Sequence, residues 1–185
     1  MIKVKRLESF SVEEQKSFGF NGFETNKTYV VQKQESSEGL TINIKIQSLD
    51  KPFRKEWSSN IESHKLFNKV IKEGLSLGAY VGEELVGVLI VSEIKWNNLL
   101  WIENIIISEE HRGNGVGKVL IENLMSLAKQ KKIRIVGLET QNANYPAIQF
   151  YIKNGFEIDG IDFSLYPSRE EGKNDTAIIM KRKVQ

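Results

Sequence analysis

"IIISEEHRGNGVGKVLIENLMSLAKQ", residues 105–130, carries three signals in succession: an apolar run, glycines at 113, 115 and 117, and a helical apolar period. Val116, Leu120, Leu124, Leu127 and Ala128 fall on one stripe, with Lys118, Glu122 and Lys129 outside it. The order is therefore strand, glycine loop, helix. Such a loop lets backbone N–H groups approach an anion, and a helix start adds further unbonded N–H groups and a partial positive charge. Arg112 and Lys118 supply formal charge beside it. A glycine-softened turn is the plainer reading, but it would need one glycine rather than three. Two nucleotide templates fail on spacing. A P-loop needs four residues before its Gly-Lys and a Ser or Thr after it, whereas three intervene here and Val119 follows. The dinucleotide pattern needs its third glycine one residue later.

Working outward, "TYVVQKQES" and "LTINIKIQS" alternate apolar and polar residues around Glu38-Gly39 and predict a hairpin. The spacing of Phe53, Trp57, Ile61, Phe67, Val70 and Ile71 predicts one or two helices between Phe53 and Gly74. Three strands follow from Leu77 to Ser108, with turns near Gly82-Glu83 and Asn97-Asn98. After the helix that starts near Val116, "IRIVGLET" reads as a strand and "NYPAIQFYIKN" as a helix. Asn144 is its N-cap, Pro146 lies in its first turn, and Gly155 is just past its end. "FEIDGIDFSLYP" and "TAIIMKRKV" close the chain as pairing strands. This order predicts a mixed sheet with a helical crossover near its centre.

The 185 residues are 40% hydrophobic and 27% charged, the profile of a globular chain, and most simply one domain. A net charge of +2 from nearly balanced acids and bases does not suggest a nucleic-acid surface. No cysteine is present, so thiol nucleophiles, disulfides and cysteine-bound zinc are excluded. No signal sequence or membrane-length apolar run is seen, and a cytoplasmic protein is expected. His64 and His111 lack the paired spacing of a metal site and are expected at the surface, so no metal is predicted.

A third template fits the loop. Arg112-x-x-Gly115-x-Gly117 resembles the acetyl-CoA loop of the GNAT N-acetyltransferases. Asn144, Ala147, Phe150, Tyr151, Gly155 and Phe156 resemble the family's following Asn-x-x-Ala-x-x-(Phe/Leu)-Tyr-x-x-x-Gly-Phe element. The resemblance covers roughly Leu75 to the C-terminus. It implies an α/β fold with a mixed, mostly antiparallel central sheet, a βαβαβ acetyl-CoA-binding core and helices on both faces. Residues 75–185 would form that core and residues 1–74 the acceptor side of a single domain. It also implies acetyl-CoA as cosubstrate. The strand Ile105, Ile106 and Ile107 would pair with the pantetheine arm through the backbone groups of Ile105 and Ile107. Arg112, Gly113, Asn114, Gly115, Val116, Gly117 and Lys118 would hold the pyrophosphate. Asn144 would hydrogen-bond the pantetheine, with Ala147 on the same helix and Tyr151 near the sulfur. Glu109 departs from the family, which often has proline there.

Amine acetylation needs a neutral nitrogen, and an alkyl ammonium with a pKa near 10.4 offers roughly a thousandth or less of it at pH 7. A base must relieve this, an acid must meet the departing thiolate, and a donor must meet the acetyl oxygen. The resemblance assigns Tyr151 as acid and a strand amide near Ile107 as the donor; a core tyrosine is the alternative for Tyr151. Glu103 is the first candidate base, because alternation in "WIENIIIS" sets it alone among apolar neighbours, where partial desolvation would strengthen it. A surface ion pair is its alternative role, and Glu139 in "GLETQ" is the rival base.

The "LETQ" strand, the Phe-Tyr helix and the Asp162-x-x-Leu165-Tyr166 ending are similar to those of streptothricin acetyltransferases. That resemblance implies acetylation of a β-lysine amine on a small cationic antibiotic, and hence resistance. Glu103, Glu139, Glu157, Asp159 and Asp162 would suit such an acceptor. Other acceptors within the same chemistry are a protein N-terminus, a polyamine or an aminoglycoside, and a non-catalytic acyl-CoA-binding module is the different-class alternative. Either a monomer or a homodimer is compatible with the sequence. "SFGFNGF", residues 17–23, reads either as an aromatic acceptor-binding loop or as a loop pinned into the core by its phenylalanines.

Overall fold

A computed structural model describes residues 1–167 and 175–185. The elements run β1 (Ile2–Arg6), α1 (Val12–Ser17), β2 (Gly22–Ser36), β3 (Gly39–Glu56), α2 (Ile61–Ile71), β4 (Leu77–Val81) and β5 (Glu84–Ile94). They continue with β6 (Leu99–Ile107), α3 (Val116–Gln130), β7 (Ile135–Gln141), α4 (Tyr145–Lys153), β8 (Glu157–Asp162) and β9 (Ala177–Lys183). Seven strands form one sheet in the order β1-β4-β5-β6-β7-β9-β8, and β2 and β3 form a separate ribbon. Strands β1, β4, β5 and β6 pair antiparallel, whereas β6 and β7, joined through α3, pair parallel. This is the expected mixed, mostly antiparallel sheet with helices flanking it and a helical crossover.

The chain forms two compact units, each assembled from segments on both sides of residue 74. One comprises residues 1–21, 56–138 and 181–185; the other comprises 22–55 and 139–180. In the first unit, Leu7, Phe10, Phe18, Ile71, Val88, Ile90 and Ile106 pack into a core cluster. The α3 stripe is buried through Val116, Leu120, Leu124 and Ala128, with Ile121 added and Leu127 only half-buried. Gly87 lets the start of α3 close on the sheet: a Cβ there would lie 2.8 Å from Ile107 Cδ1 and 3.0 Å from Val116 Cγ1. In the second unit, Ile148 and Tyr151 of α4 are buried, as is Phe156. The base of the ribbon is anchored by buried Phe23 and Tyr29, whose rings lie 5.8 Å from Phe53 and Tyr145 respectively. Its distal part, residues 32–42, is exposed throughout, including Leu40 and Ile42.

Three expectations are corrected. The helix expected from Phe53 begins only at Ile61, because Phe53 continues β3 and Asn60 is the cap, its side chain accepting from Ser63 N–H at 2.8 Å. Strand β1 and helix α1 were not anticipated. Ser11 and Glu14 close α1 with a reciprocal capping box. His64 is not at the surface: it is 4% exposed, with Nδ1 3.0 Å from the Phe10 carbonyl and Nε2 2.6 Å from Gln15 Oε1. His111 is half-buried, its Nδ1 bonded to Ser108 Oγ at 2.9 Å.

Candidate active site

The first unit holds the strand, the glycine loop and Glu103. Ser108 N–H donates to the Val86 carbonyl, and Val88 faces Ile106 in the same register. Antiparallel alternation therefore turns the backbone groups of Ile106 toward β5 and those of Ile105 and Ile107 away from it. The parallel pairing with β7 covers Leu99–Ile102. The Ile105 and Ile107 amides thus lie along a strand edge able to take an extended ligand. Ile106 is different, since its side chain is buried in the core.

The loop is a row of donors. Gly113 and Gly115 have φ of +77° and +83°, and no atom lies within 4 Å of a Cβ built on either, so the backbone path rather than crowding demands glycine. Gly115 sits at the N-cap of α3 and no side chain caps the helix. Among the described residues, the amides of Gly113, Gly115, Val116, Gly117 and Lys118 have no protein acceptor. Five donors beside a 15-residue helix start fit a pyrophosphate. Lys118 is exposed and 3.7 Å from Glu122. The Arg112 guanidinium turns elsewhere: Nε donates to the Ile107 carbonyl at 3.2 Å, and a terminal nitrogen donates to the Phe20 carbonyl. Burial draws this guanidinium below its ordinary value, and nearby Glu109 opposes that.

Glu103 is the extra residue of a bulge, since Ile90 faces Asn104 while Val91 faces Ile102. It is exposed, and Ser92 Oγ donates to it at 2.5 Å. The desolvation expected from alternation is absent, because the bulge interrupts that alternation at this residue.

The second unit holds Glu139, Asn144, Ala147 and Tyr151. Glu139, on β7, is half-buried and accepts a 2.6 Å hydrogen bond from Tyr166 Oη. Burial raises its carboxyl above the ordinary range; Tyr166 and Lys55 oppose that, and Asp162 reinforces it. Lys55 is itself held by Gln141 Oε1 at 2.6 Å and Asp175 at 3.3 Å. Asn144 Oδ1 caps α4 through the Ala147 amide at 3.2 Å, as the sequence predicts, which leaves its Nδ2 as the donor group. The Tyr151 ring is buried with Phe150 and Phe156 at 5.2 and 5.6 Å. Burial raises its hydroxyl, and Glu139 adds to that. Among the described residues nothing hydrogen-bonds this hydroxyl, and it is not sealed from solvent. It therefore stays a protonated donor with a free direction. Tyr166 and Lys55 went unassigned in the sequence, since separations of 27 and 86 residues hide their contacts with Glu139 and Gln141. The one signal was the Tyr166 of the Asp-x-x-Leu-Tyr ending. Among the described residues, no cluster of three His, Cys, Asp or Glu could hold a metal ion, and no helix is long and apolar enough to cross a membrane.

Comparison with known proteins identifies the family. The sequence model of the acetyltransferase (GNAT) family matches residues 44–156. A streptothricin acetyltransferase of Escherichia coli is 34% identical over 143 residues, covering 77% of this chain and 76% of that protein. The crystal structure of a nourseothricin acetyltransferase superposes over 100% of this chain and 99% of its own, with a TM-score of 0.75 and 24% identity. A Bacillus anthracis structure described as a streptothricin acetyltransferase in complex with acetyl coenzyme A gives the same TM-score and identity, over 100% and 98%. The family match spans more than half of the chain and the Escherichia coli relative most of it, so this protein belongs to the GNAT family of N-acetyltransferases.

Proposed function

We propose that this enzyme transfers the acetyl group of acetyl-CoA to a primary amine of a small cationic acceptor, and that the acceptor is streptothricin. The observation carrying the acceptor is the 34% identity to the Escherichia coli streptothricin acetyltransferase, which extends over 77% of the chain. The loop amides of Gly113, Gly115, Val116, Gly117 and Lys118 grip the pyrophosphate, and the Ile105 and Ile107 edge takes the pantetheine arm as an added strand. Acetyl-CoA supplies an activated thioester. Glu139 takes the proton of the acceptor amine; its nitrogen forms the C–N bond as the C–S bond breaks, and the Tyr151 hydroxyl protonates the leaving sulfur. Amide and free CoA thiol are the products; the proton on Glu139 passes through solvent to restore the Tyr151 phenol, and the proton that the acceptor ammonium sheds beforehand goes to solvent. A strand amide near Ile107 donates to the developing oxyanion.

Glu139 is preferred to Glu103 on environment. A base raised by burial is closer to the working pH, and the exposed Glu103 lacks that burial. Chain chemistry and acetyl-CoA dependence fit a cytoplasmic enzyme conferring antibiotic resistance.

The test is CoA release from acetyl-CoA with a panel of streptothricin, spermidine, an aminoglycoside and N-terminal peptides. Streptothricin should be turned over with the highest kcat/KM. Equal or better use of another amine overturns the acceptor, and release with none of them despite acetyl-CoA binding favours a binding module. Tyr151→Phe should lower kcat at least tenfold while the Kd for acetyl-CoA holds; unchanged kcat removes the acid role.

A further inference from the structure

Residues 17–23 have no part in the chemistry above. Within the first unit, Phe18 is buried beside Phe10, with ring centres 5.6 Å apart. From there the chain runs against the turn that opens the glycine loop. The Glu109 amide donates to the Phe18 carbonyl at 2.7 Å, and Glu109 Oε2 accepts the Phe20 N–H at 2.9 Å. Arg112 donates to the Phe20 carbonyl and holds its guanidinium 5.6 Å from the centre of the Phe20 ring. Through Nε the same side chain holds the Ile107 carbonyl at the end of β6. Gly19, with φ of +77°, completes the fit: a Cβ there would lie 2.7 Å from Glu109 Oε2. Position 109 is where this chain departs from the proline common in the resembling family. Proline has neither an amide hydrogen nor a carboxylate, so it could form neither of the two Glu109 bonds.

We propose that Phe18–Phe20 is a strap latched onto the acetyl-CoA loop, with Glu109 and Arg112 as positioning residues that hold strap, loop and strand end in one arrangement. This rests on residues 113–118 being the pyrophosphate grip. Arg112 then acts through the loop's shape and not as a ligand of the phosphates, whose charge is met by the amide row and Lys118. Because coupling between sites is reciprocal, acetyl-CoA binding must tighten the strap by the same factor that the latch tightens acetyl-CoA.

Calorimetric Kd values for acetyl-CoA are measured for the wild type, Glu109→Ala, Arg112→Ala and the double variant, beside amide hydrogen exchange at Phe20. Each single change should weaken binding about three- to tenfold, and the double change should be no worse than the weaker single, because both break one latch. Phe20 exchange should slow on adding acetyl-CoA in the wild type and not in the variants. Multiplicative losses overturn the proposal, as does an Arg112→Ala loss that disappears at high salt while Phe20 exchange is unchanged. Should Arg112→Ala fail to fold, Glu109→Ala alone is decisive, because it removes the acceptor of the Phe20 N–H; a Kd and Phe20 exchange both equal to wild type then refute the latch. Gly117→Val reports on the pyrophosphate grip separately. If it leaves Kd unchanged, the grip fails, and the latch is still judged by whether Glu109→Ala speeds Phe20 exchange without ligand.

Discussion

Tyr166→Phe isolates the hydrogen bond that holds Glu139. The Tyr166 hydroxyl donates to the Glu139 carboxylate at 2.6 Å, and this bond favours the ionised form. A hydrogen bond to a charged group contributes about 1.5–3 kcal/mol. Glu139 is half-buried, so the low end applies, and about 1.4 kcal/mol corresponds to a tenfold change in proton affinity. Without the hydroxyl, burial and Asp162 act with less opposition, so the carboxyl protonates at higher pH. A base must be ionised to accept a proton, so the acidic limb of the kcat/KM–pH profile should move up by about one pH unit. Activity on the alkaline side of that limb should be nearly unchanged. The assay is CoA release with streptothricin from pH 5 to 9. Tyr166 does not itself titrate in that window, because burial and Glu139 raise its hydroxyl. Nor does Tyr151, raised by burial and by Glu139. An acidic limb that stays in place would refute Glu139 as the group it reports.

Three further outcomes follow from the geometry. Glu139→Gln should lower kcat about a hundredfold or more, whereas Glu103→Gln, which can still accept from Ser92, should stay within about threefold; the reverse order in steady-state assays restores Glu103 as the base. Gly115→Ala forces a side chain into φ of +83° with no steric contact, a backbone cost of about 1–2 kcal/mol. The Kd for acetyl-CoA should rise about five- to thirtyfold by calorimetry, and an unchanged value would mean that this conformation is not needed for binding. His64→Ala strands the buried Gln15 side chain, while the Phe10 carbonyl keeps its 2.8 Å bond from Asn68 Nδ2, and should cost about 1–3 kcal/mol in urea unfolding, with a loss below about 0.5 kcal/mol counting against that packing.

The central strands, α3 and α4 were legible because their apolar residues follow clean periods and their ends carry cap residues such as Asn144 and Gly155. The loop was legible because glycine at positive φ is a backbone requirement written into the sequence. What escaped depends on distant parts of the chain. Ile2 and Val4 alternate with lysines, yet five residues are too short to announce a strand until Val81 and Ala79 are beside them. Phe53 and Trp57 happen to fall on a helical period with Ile61, although Phe53 packs on Phe23 across a ribbon. The bulge at Glu103 exists only as a mismatch between two strands, so alternation read along one of them mistakes the environment of that carboxylate. His64 looked like a surface residue because its partners, Phe10 and Gln15, are 54 and 49 residues away.

The ribbon of β2 and β3 bears on how freely this chain can vary. Its anchors, Phe23, Tyr29 and Phe53, lie toward the base, while residues 32–42 have little packing beneath them. Lengthening such a hairpin around its Ser37–Glu38 turn costs mainly loop-closure entropy, about 0.6 kcal/mol per doubling of a flexible loop. The tip can therefore accept an inserted peptide or drift in sequence without straining Glu139 or Tyr151. Two stacked faces hold a core strand to its alphabet; this stretch has neither.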